Sequence, residues 1–111
     1  MITKGQALEL IGGHVENKNI IKHMLALEAV MGAFWERFQK DGTKDEWMMA
    51  GLLHDGDYNS DVSPEKQGIQ IVEWAKGLGY EIPENVAHAI AAHNWDNTKV
   101  EPVNSMDWLI L

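Results

Sequence analysis

The stretch Trp47-Met48-Met49-Ala50-Gly51-Leu52-Leu53-His54-Asp55 decides how this chain is read. Trp47, Ala50, Gly51 and His54 recur at i, i+3, i+4 and i+7, which is one face of an α-helix. That face is apolar until its last member, an imidazole, and the next residue is a carboxylic acid. Two ionisable groups at the inner end of an apolar helix are costly to bury unless something compensates them. Neutral imidazole and carboxylate are both ligands for divalent metals, so an ion is one such compensation. Gly51, in the middle of the face, predicts a close approach by a neighbouring backbone.

Outward from this helix, the punctuation reads as a series of further helices. Thr43 and Glu46 have the capping-box spacing and open the helix that carries His54-Asp55, with Gly56 as its stop. Upstream, Asn17 or Asn19 caps a long helix reaching about Lys40. Its Ile20, Met24, Leu27, Met31, Phe34 and Phe38 step by four and three, and Asp41-Gly42 ends it. Before that, Thr3 with Gln6 forms another capping box, for a short helix that Gly12-Gly13 should close. Downstream, residues 57–62 read as a polar loop. Ser63-Pro64-Glu65 then starts a helix running to about Lys76 and ending at Gly77 or Gly79. Pro83-Glu84 opens another through about His93; residues 94–104 form a loop, and Asn104 or Ser105 caps a last helix bearing Asp107. No segment alternates with period two. The expectation is an all-α bundle of about five to six helices in a single domain, residues 1–111.

Composition narrows the function classes. With 111 residues the chain can build one core but not two. Its 45% apolar content is that of a globular protein rather than a disordered one. Without cysteine there are no disulfides and no thiolate-bound zinc. No run approaches the roughly 20 apolar residues of a membrane span, and the N-terminus lacks the pattern of a signal peptide. A cytoplasmic protein without membrane partners is the default expectation. The net charge of −8, with only nine scattered Lys and Arg, argues against bulk nucleic-acid binding. A single phosphate can still be held through a metal ion, which supplies the local positive charge.

Helical spacing brings further polar residues to the interior. His23 lies between Ile20 and Leu27 on the edge of the apolar stripe. Val86, Ile90 and His93 line one face of a later helix, and Asp107 is embedded in an apolar segment. His88 falls roughly 140° around the helix from His93, so it is read as exposed or as a supporting group. For any one of these residues the plainer readings stand: a hydrogen-bonded core histidine, or in Asp107 a first-turn acid favoured by the helix dipole. Asp57 and Asp61 read as loop-capping acids, and the five tryptophans as core or groove walls. It is the constellation that points to a metal.

The order His23, His54-Asp55, Asp107 resembles the HD-domain superfamily of metal-dependent phosphohydrolases, and most of all its small, uncharacterised HDIG-type hydrolases. Lys22-His23-Met24, Ala50-Gly51-Leu52-Leu53-His54-Asp55 and Ala89-Ile90-Ala91-Ala92-His93-Asn94 carry the likeness, from about residue 5 to the end. Gly56-Asp57-Tyr58 replaces the more usual Ile-Gly or Ile-Asp, and the chain ends sooner after Asp107 than relatives do. The resemblance implies a compact helical fold in which His23, His54, Asp55 and Asp107 bind one divalent ion (Mn, Fe, Co, Ni, Zn or Mg). It also implies hydrolysis of a small phosphate ester, for instance a nucleotide, by a metal-activated water. Asp55 would orient or deprotonate that water, and His93 would bind phosphate or move a proton. Lys22 and Lys66 are candidate phosphate contacts. Relatives with two metals carry a further histidine where this chain has Gln67, a weak ligand, so one ion is expected rather than two.

Three other readings remain. A non-catalytic metal- or ligand-binding module accommodates Gln67 and the scarcity of basic residues. Oxygen activation at a di-iron site needs the histidine that Gln67 replaces. A purely structural bundle leaves His54-Asp55 and Asp107 uncompensated. The apolar content also suits a homodimer.

Overall fold

Helix starts with a side-chain acceptor at the right spacing form where the sequence puts them. In the computed structural model, which describes residues 1–15, 17–38 and 42–110, Thr3 Oγ1 accepts from Gln6 N (3.1 Å) and opens α1 (Lys4–His14). Thr43 Oγ1 likewise accepts from Glu46 N (3.2 Å) and opens α3 (Lys44–Leu53), with Glu46 reaching back to Thr43 N (2.7 Å). Between them, Asn17 Oδ1 accepts from Asn19 N (2.9 Å) at the start of α2 (Lys18–Phe38). The expected end of α2 near Lys40 and Asp41 lies outside the described residues. Gly42, just beyond, has a φ of 65°.

α1 departs from its expected end. Gly12 and Gly13 stay helical and face open space, and the helix closes only where buried Val15 donates to Ile11 O (2.8 Å). The helix expected from Ser63 to Lys76 is broken in two. Pro64–Lys66 is a single 3-10 turn, and α4 (Gln70–Gly77) starts afresh. The break is Gly68, at φ 102°, where an added Cβ would stand 2.9 Å from the Ile90 carbonyl. Ile90 belongs to α5 (Glu84–Ala92), so the helix is interrupted by the close passage of another one. A short α6 (Trp95–Thr98), not foreseen, is ended by Lys99 at φ 65°. Asn104 Oδ1 then accepts from Asp107 N (2.9 Å) and caps α7 (Ser105–Ile110).

Seven helices and no strands make up the described residues, so the fold is all-α, with one short helix more than expected. Met24 and Met31 from α2, Trp47, Leu52 and Leu53 from α3, Ile71 from α4, Val86 and Ile90 from α5 and Met106 from α7 form the core. Among the described residues no helix is long and apolar enough to cross a membrane.

The α2–α3 pair positions the site. The short link between them makes the two helices antiparallel neighbours. Gly51 fixes their register: an added Cβ would lie 2.7 Å from the Leu27 carbonyl oxygen. On the same seam, Gly32 faces Met48. In an antiparallel pair, going one turn up from Gly51 means going one turn back from Leu27. That step arrives at His54 on one helix and His23 on the other.

Candidate metal centre

His54 caps the C-terminal end of α3 and is 3% exposed. Its Nδ1 lies 2.7 Å from the Gly51 carbonyl oxygen, which can only accept, so Nδ1 carries the hydrogen. In the neutral ring this leaves the Nε2 lone pair free. That Nε2 is 3.3 Å from His23 Nε2 and 3.2 Å from Asp55 Oδ2. The third side of the triangle, His23 Nε2 to Asp55 Oδ2, is 3.7 Å. Neighbouring ligand atoms held ~2.1 Å from one ion at tetrahedral or octahedral angles lie about 3.0–3.5 Å apart. Two of the three separations fall in that range, and the third, at 3.7 Å, lies just beyond it. The three residues form the one group of three or more His or acidic residues among the described residues whose donor atoms all lie within 4.8 Å of one another.

His23 was expected on the inner edge of α2. Its side chain is instead 59% exposed, so the cluster has a buried wall, His54, and an open one. A cleft of about 480 Å³ is lined by Asn17, Ile20, Tyr58, Asn59, Ser60 and Gln67. Ile20 sits one turn before His23 on α2, and Tyr58 follows Asp55 by three residues, so cleft and cluster draw on the same two segments of the chain. Gln67 is a wall of this cleft, and its Nε2 donates to the Val62 carbonyl (3.3 Å).

His93 joins the cluster through Asp55. Its Nε2 is 3.1 Å from Asp55 Oδ1, its Nδ1 faces the Ile90 carbonyl, and its ring meets that of His54 edge-on. Both ring nitrogens thus meet acceptors, an arrangement that suits the charged imidazolium. Burial alone would lower the His93 pKa; the Asp55 hydrogen bond, the Ile90 carbonyl and the charges of Asp55 and Asp57 reverse this and raise it. Burial would likewise push the Asp55 carboxyl up. Hydrogen bonds and charge from His54 and His93 win, holding it well below the usual carboxylate range. Asp55 is therefore an ionised carboxylate with one oxygen spent on His93 and the other turned to His23 and His54.

Asp107 is placed elsewhere. It is fully buried, with Oδ2 accepting from Val103 N (3.0 Å) and lying 2.8 Å from His88 Nδ1. The contact with His88 lacks hydrogen-bond alignment, and Asp107 Oδ1 has no partner among the described residues. His88, half expected at the surface, is thus the neighbour of the carboxylate assigned by resemblance to the metal. The pairing depends on α5 packing against α7, for which the sequence holds no local signal. Asp57 is a second residue with a use the sequence only half revealed. As expected it caps, but not its own loop. Its carboxylate accepts from Gly68 N and Ile71 N, each at 2.9 Å, eleven and fourteen residues downstream, and so holds the start of α4. Burial pushes the Asp57 carboxyl up, against those two backbone donors. Of the candidate phosphate contacts, Lys66 is engaged by Glu73 (3.2 Å), and Lys22 is exposed.

No family model, curated protein or solved structure matches this chain.

Proposed function

We propose that His23, His54 and Asp55 hold one divalent metal ion, and that the centre hydrolyses a small phosphate ester bound in the adjoining cleft. The observation that carries the metal is the triangle of donor atoms at 3.2, 3.3 and 3.7 Å. The reaction rests on the resemblance of the His23, His54-Asp55 order to the HD-domain phosphohydrolases. When bound, a divalent ion supplies Lewis acidity at this point, acidifying water and drawing on a phosphoryl oxygen. The chain's own residues do the rest. The Gly51 carbonyl holds the His54 ring in one tautomer, and Asp55 stays ionised and orients water. His93, charged and tethered to Asp55, meets the phosphoryl charge or passes a proton to the leaving oxygen. The cleft offers amides, a hydroxyl and the Tyr58 ring, which suit the uncharged part of an ester. The resemblance adds Asp107 as a fourth ligand; its Oδ1, without a partner among the described residues, is the oxygen it would offer.

One observation favours a second reading, a non-catalytic metal- or ligand-binding module: among the described residues, no charged side chain lines the cleft. Metal content by mass spectrometry, run alongside a screen of nucleotides and small phosphate esters, separates the two. The proposed activity requires about one ion per chain and a turnover that Asp55→Asn and His54→Ala abolish. Metal without turnover selects the binding module. Turnover that survives both substitutions rejects the catalytic assignment.

A further inference from the structure

Two of the five tryptophans neither enter the core nor touch the metal cluster: Trp95 is 44% exposed and Trp108 is 61% exposed. They come from different helices, α6 and α7, yet line one cleft of about 180 Å³ together with Glu101 and Pro102. Two indoles and a carboxylate around a small space are the components of a cation site. The π-faces attract positive charge, and the acid supplies the counter-charge. The volume lies below the ~300–1,000 Å³ of sites for drug-sized ligands, so the cleft suits a compact head group. A net charge of −8 favours a cation over an anion or a neutral ligand.

The walls are fastened. Thr98 Oγ1 donates to the Ala91 carbonyl (2.8 Å) and ties α6 to α5. Val103 N donates to Asp107 Oδ2 (3.0 Å) and ties the segment after Pro102 to α7. Lys99, the basic residue nearest in sequence, sends its Nζ to the Asp96 carbonyl (2.8 Å). The tryptophans are therefore held apart on separate supports, with Glu101 and Pro102 bordering the space they share.

We infer that Trp95, Trp108, Pro102 and Glu101 form a binding site for a small quaternary ammonium cation, independent of the metal cluster. The weakly hydrated methyl groups fit the indoles and Pro102, and the charge is met by Glu101. Of these four side chains only Glu101 accepts a hydrogen bond, so an ammonium ion with several N–H groups has most of its lost hydration unreplaced.

The test is titration of the full-length protein with tetramethylammonium and choline, followed by the indole N–H resonances. Trp95→Phe and Trp108→Phe assign the two signals. The expected result is a saturable shift of the Trp95 and Trp108 signals, with those of Trp35, Trp47 and Trp74 unmoved. The neutral isostere 3,3-dimethylbutan-1-ol should bind more weakly. Replacing either exposed indole by alanine should weaken binding roughly two- to fivefold. Glu101→Gln, a surface change that leaves the fold intact, should weaken it as well. A trimethyllysine peptide and glycerophosphocholine serve as further arms; tighter binding of one of them identifies the source of the head group. The inference is overturned by equal binding of the neutral isostere, or by shifts that ignore Glu101→Gln and both alanine variants. It is equally overturned by concentration-dependent self-association that buries these indoles and is lost in Trp108→Ala, because the patch is then a contact between copies.

Discussion

At the scale of single residues, the proposed centre depends on His54 being held and His93 being charged. Gly51 serves both the helix seam and the site, because its carbonyl fixes the His54 tautomer while its missing Cβ admits Leu27. Gly51→Ala places a methyl 2.7 Å from a backbone oxygen that cannot rotate away. The two helices must separate, and the expected cost is about 1–3 kcal/mol in urea unfolding. Metal affinity should fall with it, since the same seam sets His54 against His23. The Asp55–His93 pair predicts a pH dependence in chelator-treated protein. Asp55 is lowered from its ordinary 3.8, so its contribution is complete above that value and fades as the pH falls further. His93 is raised from its ordinary 6.5, so its contribution is complete below 6.5 and is lost as the pH rises through the folded-state value. The stability difference between wild type and His93→Gln should therefore be largest between pH 3.8 and 6.5, on the order of 1–3 kcal/mol, and shrink above neutrality. Urea midpoints of both proteins across this range check it; a difference that grows toward alkaline pH contradicts the assignment of charge.

Among the secondary-structure elements, what could be read from sequence divides by the range of the interaction. Helix starts were legible because the capping side chain and its backbone donor lie within three residues: Thr3 with Gln6, Thr43 with Glu46, Asn104 with Asp107. The His23–His54–Asp55 set was legible too. Two of its members are adjacent, and the third is reached by the periodicity of one long helix. The break at Gly68 was not legible, because the sequence around Ser63-Pro64 obeys every local rule for a helix start. What overrides it is the Ile90 carbonyl, more than twenty residues away, together with the Asp57 carboxylate that receives Gly68 N and Ile71 N. Nor could spacing reveal that Asp107 meets His88, or that His23 looks outward, since both depend on how helices dock. Gly68→Ala should accordingly destabilise the protein by more than the usual glycine-to-alanine change in a loop. A side chain at φ 102° is strained, and its Cβ meets the α5 backbone at 2.9 Å. Asp57→Ala removes the carboxylate from the same junction and strands two backbone donors. A loss of about 1–3 kcal/mol is expected for each variant by urea denaturation. If instead the chain joined the 3-10 turn and α4 into one helix, Gly68→Ala would raise helicity in circular dichroism without loss of stability.

For the whole molecule, the proposed ion is a stability term as well as a chemical one. The chain carries 17 acids against nine Lys and Arg, and the one tight three-donor cluster among the described residues draws on α2 together with α3 and the turn that follows it. An ion bound there joins the two helices that share the most extensive packing in the fold, and it binds the folded chain in preference to the unfolded one. Linkage then requires the melting temperature to rise with metal concentration. At a hundredfold excess over Kd the gain is about 2.7 kcal/mol. For a domain of this size that corresponds to a shift of roughly 10 °C. Diffuse attraction of cations to an acidic surface also raises stability, so the magnitude alone does not identify the site. The difference between variants does. Mn²⁺, Co²⁺ or Ni²⁺ should raise the melting temperature of the wild type, and chelator should reverse it. His54→Asn should abolish the shift, because its ring is the donor fixed on the buried side. Asp107→Asn should retain more of it than Asp55→Asn does, because Asp107 lies outside the three-donor group. A shift of equal size in His54→Asn assigns the effect to the surface charge and removes the metal centre from the account of this fold.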